Sequence, residues 1–321
     1  MNTNASQSHP VEKVWIEGNT LQETTGSARS LTSWLAVLVA VVIGLAIAVF
    51  WSPVIADDTI GLNIANTLVG TTATKVDLGN MLFSLAFAVV AGLATTFTAC
   101  NCVVFSCIAP LTNETEKNRL GKGRLLLWMS LGVVGITAIY GLLGALLGKQ
   151  MPSLSTGTIH LAIGANVPIR LLQSATVFVL LGLVFLLWGI FALGIAKNPL
   201  QRWTQQRPWA VPLFLGIIVG FFTVGRPYAL FHKLFLYASS TGNILLAALL
   251  VALQGLANIA LMALIFVVLT YGGHVERWLQ ANPLRARVLT GISMIGGGTF
   301  LIIYWGVRLP ANFGIGWFPH F

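Results

Sequence analysis

The sequence predicts an all-α polytopic membrane bundle of about seven spans, built as one extra N-terminal helix and a three-plus-three inverted repeat. Three observations lead there. The chain of 321 residues is 56% hydrophobic and only 8% charged, where soluble domains carry about 25% charged residues, and its mean hydropathy is +0.84. Its apolar residues gather into seven runs, each near or above the roughly 20 residues that cross a bilayer as a helix. Its basic residues collect in alternate loops between those runs, as topology signals do.

Residues 1–30 are polar and mixed in charge, with Glu12, Lys13, Glu17, Glu23 and Arg29, and read as a cytoplasmic tail. The run 31–51, LTSWLAVLVAVVIGLAIAVFW, reads as a retained transmembrane helix. A long polar stretch precedes it and no small-x-small cleavage site follows, which argues against a signal peptide. Further runs cover 81–110, 125–148, 171–196, 209–239, 243–271 and 288–307. The runs 81–110 and 209–239 are long and interrupted, so broken helices or hairpins are expected there. Residues 308–321 read as an extracytoplasmic tail. Trp34, Trp51, Trp128, Trp203, Trp209, Trp305 and Trp317 fall near span ends, as an interfacial aromatic belt would.

The loops set the orientation. One side holds Lys117, Arg119, Lys122, Arg124, Lys197, Arg202, Arg207, Arg277, Arg285 and Arg287. The other holds Lys75, Lys149, Arg170 and Arg308 with Asp57, Asp58 and Asp77. The positive-inside rule then places the N-terminus in the cytoplasm and the C-terminus outside. Behind the first span, the half-repeats 80–196 and 209–307 run in opposite senses. Inverted repeats place their working site near the membrane midplane, at interrupted helices. Here these are the two interrupted runs.

The first of them contains TTFTACNCVVFSC with the only three cysteines, Cys100, Cys102 and Cys107. The second contains GIIVGFFTVGRPYALFHKLFLYASSTGN, with Arg226, His232 and Lys233 inside an apolar run. An arginine at mid-span ordinarily faces a partner or a wet cavity; the other reading has it snorkelling to headgroups. Pro227 removes a backbone donor and can break the helix. Gly220 and Gly225 permit close packing or irregular backbone beside it.

Several functions are excluded by what is missing. The net charge of +9 lies in short loops, not on a basic face of a soluble domain, which argues against nucleic acid as a partner. There is no phosphate loop, carboxylate pair, Ser-His-Asp arrangement or CxxC…CxxC zinc spacing, and no cofactor is expected. No acidic residue lies in a predicted span, against an intramembrane carboxylate pump. The three cysteines leave three readings open: a redox centre, a site for a soft ion such as copper(I), or small hydrophobes in a non-redox accessory subunit.

The segment Gly92-Leu93-Ala94-Thr95-Thr96-Phe97-Thr98-Ala99-Cys100 fits, without a gap, the pattern G-L-x-S-x-x-S-P-C. In the second half Gly220 starts the pattern G-x-x-x-S-P-C and Arg226 takes the cysteine place; Tyr237-Ala238 sit at the expected distance and Gly242-Asn243 follow. In these features, over roughly residues 80–307, the chain resembles the transmembrane thiol–disulfide interchange and cytochrome c biogenesis family, of the CcdA and DsbD type. The resemblance implies a bacterial inner (plasma) membrane protein. In that family, one cysteine from each half forms a reversible disulfide. It passes electrons from cytoplasmic thioredoxin to thioredoxin-like proteins outside, in support of cytochrome c maturation.

The chain departs from that pattern. Arg226 replaces the second cysteine, Ala99 replaces the proline, and Cys102 and Cys107 are added. The cross-repeat disulfide cannot form, so exchange would have to use a local pair. On a regular helix Cys100 and Cys107 share a face but stand about 10 Å apart along the axis, and Cys100 and Cys102 point to different sides. Neither pair meets disulfide geometry unless the helix is broken. A free thiol is only about 3% thiolate at pH 7, and a guanidinium nearby would raise that fraction. The candidate catalytic residues are therefore Cys100, Cys102, Cys107 and Arg226. The expected function is electron transfer through them, with separate thioredoxin-like proteins on either side as partners and membrane lipid around. The alternatives are an accessory subunit of a larger membrane complex and a soft-metal handling protein.

Overall fold

The computed structural model describes residues 31, 33–51, 59–96, 121–160, 166–199, 204, 206, 207, 209–271 and 283–319. Its helices are α1 (Ser33–Phe50), α2 (Leu62–Val69), α3 (Met81–Thr95), α4 (Lys122–Leu147), α5 (Ile169–Leu193), α6 (Ala210–Val224), α7 (Ala229–Ser240), α8 (Ile244–Tyr271) and α9 (Pro283–Ile303). Between α4 and α5 lies a short antiparallel pair, β1 (Thr158–His160) and β2 (Asn166–Pro168), in which Ile159 pairs with Val167. Five helices are long and apolar enough to cross a membrane, or six if α6 and α7, bent by 90°, count as one span. The architecture is that of an all-α, multi-pass membrane protein. Of the predicted run 81–110, α3 and the turn at Thr96 are described. Residues 97–120, with all three cysteines, lie outside the described residues.

Lipid offers no hydrogen bonds, so each apolar segment satisfies its backbone internally as helix. Outward-facing Leu38, Leu127, Leu180, Leu245 and Leu264 are exposed, as side chains that meet acyl chains would be. Helix ends follow local chemistry. The Leu82 amide donates to the Asn80 side chain at 3.1 Å to open α3. The Leu246 amide donates to Asn243 at 3.1 Å to open α8. Gly242 before it holds a φ of 66°, a left-handed conformation that glycine adopts without a Cβ penalty. The Gly242-Asn243 pair is thereby explained as a turn and a helix cap.

The helices pair as α3 with α8, α8 with α4, α4 with α6, and α5 with α9. Glycine contacts give the directions. Gly92 abuts Gln254 and Ala257, and Thr95 bonds Asn258, so α3 runs parallel to α8. Gly216 abuts Met129 and Gly220 abuts Ile136, so α6 runs parallel to α4. Gly141 abuts Ala247 while Gly255 abuts Thr137, so α4 and α8 are antiparallel. It follows that α3 and α6 approach each other from opposite sides of the bundle.

Between α5 and α9 the backbones nearly touch. A Cβ on Gly298 would lie 2.6 Å from the Gly182 carbonyl, and one on Gly182 would lie 2.9 Å from the Gly298 carbonyl. Gly291 abuts Leu193 and Gly296 faces the Ala40 carbonyl of α1, which accounts for the glycine-rich last span as a packing surface. Gly298→Val is expected to lower stability by about 1–3 kcal/mol, because backbone cannot yield as a side chain can. Gly135, with nothing within 4 Å of its Cβ position, provides the control: Gly135→Ala is expected to be neutral or slightly stabilising. Thermal unfolding of both variants in detergent checks the contrast.

The N-terminal helix α1 docks on the outside of α9. Gly44 abuts Gly296 and Thr299, and the Ser33 hydroxyl donates to the Leu193 carbonyl at 3.4 Å. Arg308 closes its C-terminal end, donating to the Ala48 and Trp51 carbonyls at 2.7 and 2.6 Å. A cation there satisfies orphan carbonyls and meets the negative end of the helix dipole. The segment after 307 is more ordered than a tail: α9 continues through a π turn at Tyr304–Arg308, and the buried Phe318 lies under the Arg308 guanidinium at 5.8 Å. Among the tryptophans, Trp34 and Trp317 are exposed, but Trp305 is buried and stacked on Phe178 at 4.7 Å, so it belongs to the core.

Candidate functional site

α3 and α6 have 15 residues each. At 1.5 Å per residue each is about 22 Å long, short of the roughly 30 Å of hydrocarbon in a bilayer. Each therefore ends inside the bundle, and the two ends meet beside Asn258, which stands midway along the 28-residue α8. α3 ends at a pair of threonines. α6 ends because Gly225 and Pro227 interrupt it; proline lacks the N–H needed to continue and disfavours helical backbone before it.

The polar groups at these ends satisfy one another. Arg226, 6% exposed, donates from Nη1 to the Thr95 carbonyl at 2.8 Å. That carbonyl belongs to the last turn of α3, where helical carbonyls have no intrahelical partner and where the dipole is negative. The Asn258 amide spans the two half-length helices. Its Nδ2 donates to the Thr223 hydroxyl at 3.0 Å, and its Oδ1 accepts from the Thr95 hydroxyl at 3.0 Å. Thr223 in turn donates to the Val219 carbonyl at 3.1 Å. The Thr96 hydroxyl donates to the Asn258 carbonyl at 3.1 Å. The Asn258 side chain thus joins the ends of α3 and α6.

One turn earlier on α8, Gln254 is 0% exposed. Neither Nε2 nor Oε1 has a hydrogen-bond partner among the described residues. An amide buried without partners costs on the order of 1–3 kcal/mol, so Gln254 marks polar ground next to the end of α3.

Arg226 thus lies within the bundle and does not snorkel to a surface. Its partner is the Thr95 carbonyl at the end of α3. Cys100, Cys102 and Cys107 lie outside the described residues. The neighbours of Arg226 fall into place around the break. Lys233 donates to the Ala73 carbonyl at 2.9 Å and lies over the Phe87 ring at 5.5 Å. His232 is partly buried and lines a cleft at the break. Among the described residues no group of three or more His, Cys, Asp or Glu could hold a metal ion.

Sequence reasoning missed Asn258 and Gln254. Their signal was present: two carboxamides four residues apart, hence on one helix face, in the otherwise apolar run 244–269. Compared with protein-family models, with curated proteins and with solved structures, the chain finds no match.

Proposed function

We propose that the chain is a membrane thiol–disulfide electron carrier whose reactive thiols come from Cys100, Cys102 and Cys107, with Arg226 as the positive group beside them. The carrying observation is the bond from the Arg226 guanidinium to Thr95, at the end of the helix that leads into the cysteines. A cation held there favours the thiolate over the thiol. In the reaction, a thiolate attacks a disulfide through a mixed-disulfide intermediate. A dithiol donor on one side reduces an internal disulfide and is itself oxidised. The resulting dithiol then reduces a disulfide on the other side, so two electrons and two protons pass in all.

The same reading takes residues 80–307 as an inverted repeat in a bacterial inner membrane, with the N-terminus inside. What supports the repeat is the pairing of helices. Exchanging α3 with α6, α4 with α8 and α5 with α9 turns the set of contacts into itself, α3–α8 becoming α6–α4. Thioredoxin-like proteins on either side would be the donor and acceptor.

A second reading is a non-redox accessory subunit of a membrane complex. It is favoured by the guanidinium standing where the resemblance implies a second thiol. Alkylating mass tags on native membranes, before and after reduction, separate the two. Two cysteines labelled only after reduction, and cycling with a thioredoxin, support the carrier. Three cysteines that stay reduced under oxidant leave the accessory reading. In the carrier, Cys100→Ser is expected to shift exported thiol substrates toward their oxidised forms, read by the same tags.

A further inference from the structure

Two buried polar atoms near the bend between α6 and α7 find no protein partner. The Ser153 hydroxyl sits in the short turn Pro152–Leu154 between α4 and α5. It is shielded from solvent and has no hydrogen-bond partner among the described residues. The same holds for Oε1 of Gln173 on α5, whose Nε2 lies 3.4 Å from the Tyr140 hydroxyl. Buried polar atoms are nearly always paired, with protein or with ordered water. Ser153 and Gln173 line one cleft, together with Arg170, Arg226 and His232, and Phe231 and Phe235 form its apolar wall. The cleft encloses about 10 Å³, the room that a single water takes.

We infer that this cleft binds one ordered water, which bridges the Ser153 hydroxyl and the Gln173 carboxamide. Size excludes any larger ligand. Charge and hydrogen bonding choose among occupants of that size. A small cation would stand beside Arg170 and Arg226, with no carboxylate in the lining to offset them. A halide cannot donate to Oε1 of Gln173. Water both donates and accepts, so it satisfies the hydroxyl and whichever end of the Gln173 amide faces it. The lining also supplies the two to four polar partners that a buried water requires.

The site ties separate parts of the chain together. Ser153 belongs to the connection between α4 and α5, Gln173 to α5, and Arg226 to the break after α6. His232 of α7 is hydrogen-bonded to the Ser153 backbone. The water completes a polar seam that holds the connection against the bend. A bridging water of this kind is nearly as good as a direct hydrogen bond. The inference is independent of the thiol reading.

The test uses the full chain in nanodiscs of phosphatidylcholine, exposed to a short X-ray pulse. Hydroxyl radicals formed from a bound water oxidise the side chains beside it, where bulk water does not reach. Phe231 and Phe235, 2% and 1% exposed, are the reporters, and Phe185, 0% exposed and not in the lining, is the internal control. Oxidation of both reporters is expected several-fold above that of Phe185, read by peptide mass. In a folded Ser153→Ala, Gln173→Met double variant it is expected to fall to the Phe185 level. Thermal unfolding gives a second readout. Ser153→Ala is expected to lower the midpoint, because it takes a partner from the water; removal of a truly orphaned hydroxyl would leave the midpoint unchanged or raise it. The inference is overturned if the reporters are oxidised no more than Phe185, if the double variant is oxidised as the parent is, or if Ser153→Ala does not lower the midpoint. A parent midpoint that rises with chloride over gluconate at constant ionic strength overturns it as well, since a halide would then hold the place of the water.

Discussion

Replacing Arg226 with glutamine is expected to raise the pH at which the cysteines alkylate by about one unit, and to slow labelling at neutral pH roughly tenfold. The guanidinium is the positive group that the structure places at the end of α3. Without it, a thiolate close by loses its electrostatic support. Stability is expected to fall too, by about 1–3 kcal/mol, because the Thr95 carbonyl is left buried without its donor. Arg226→Lys separates charge from geometry. It keeps the cation and loses the fork, so much of the low alkylation midpoint should survive. A folded Arg226→Gln protein with the parent's alkylation profile would remove Arg226 from the chemistry and turn the search to partner subunits.

The second large effect is expected at Asn258. Asn258→Leu removes the two side-chain hydrogen bonds that tie α3 and α6 to α8, from the Thr95 hydroxyl and to the Thr223 hydroxyl, and leaves the Thr96 bond to its backbone carbonyl. Thr223 keeps its bond to the Val219 carbonyl at 3.1 Å, and the single Thr95 proton turns to the Gly92 carbonyl at 2.7 Å. The loss is therefore of registry between the half-length helices, worth about 1–2 kcal/mol in all by the range found for bonds between membrane helices. A double-mutant cycle with Thr223→Val isolates that part. Unfolding in detergent should show the two substitutions to be clearly less than additive. Simple additivity would mean that the amide does not join the helices.

Arg226 was legible because a charge in an apolar run is costly, about 2.5–3.5 kcal/mol at the centre of a span, and so stands out in composition alone. That it bonds a helix-end carbonyl was not legible. Thr95 is 131 positions away, and nothing local to either residue encodes the meeting. Asn258 was visible as a polar residue but not as a bridge, because its partners Thr95 and Thr223 come from two other helices. The cleft was harder still. Ser153, Arg170 and Gln173 lie in or beside a loop that reads in sequence as ordinary surface.

The sequence by itself determined the all-α membrane architecture and the approximate course of α1, α4, α5, α8 and α9. Composition and run length decide these, since an apolar segment in lipid has no other way to satisfy its backbone. It also located the interruption between α6 and α7, through Pro227. Only the tertiary structure decided that α3 and α6 end side by side at Asn258. Only it showed that Gly298 and Gly182 bring two backbones together, and that Arg170, Arg226 and His232 share one cleft. These are matters of helix pairing. In a membrane one apolar face is much like another, so pairing is fixed by where small residues let backbones approach and where the few polar groups find each other.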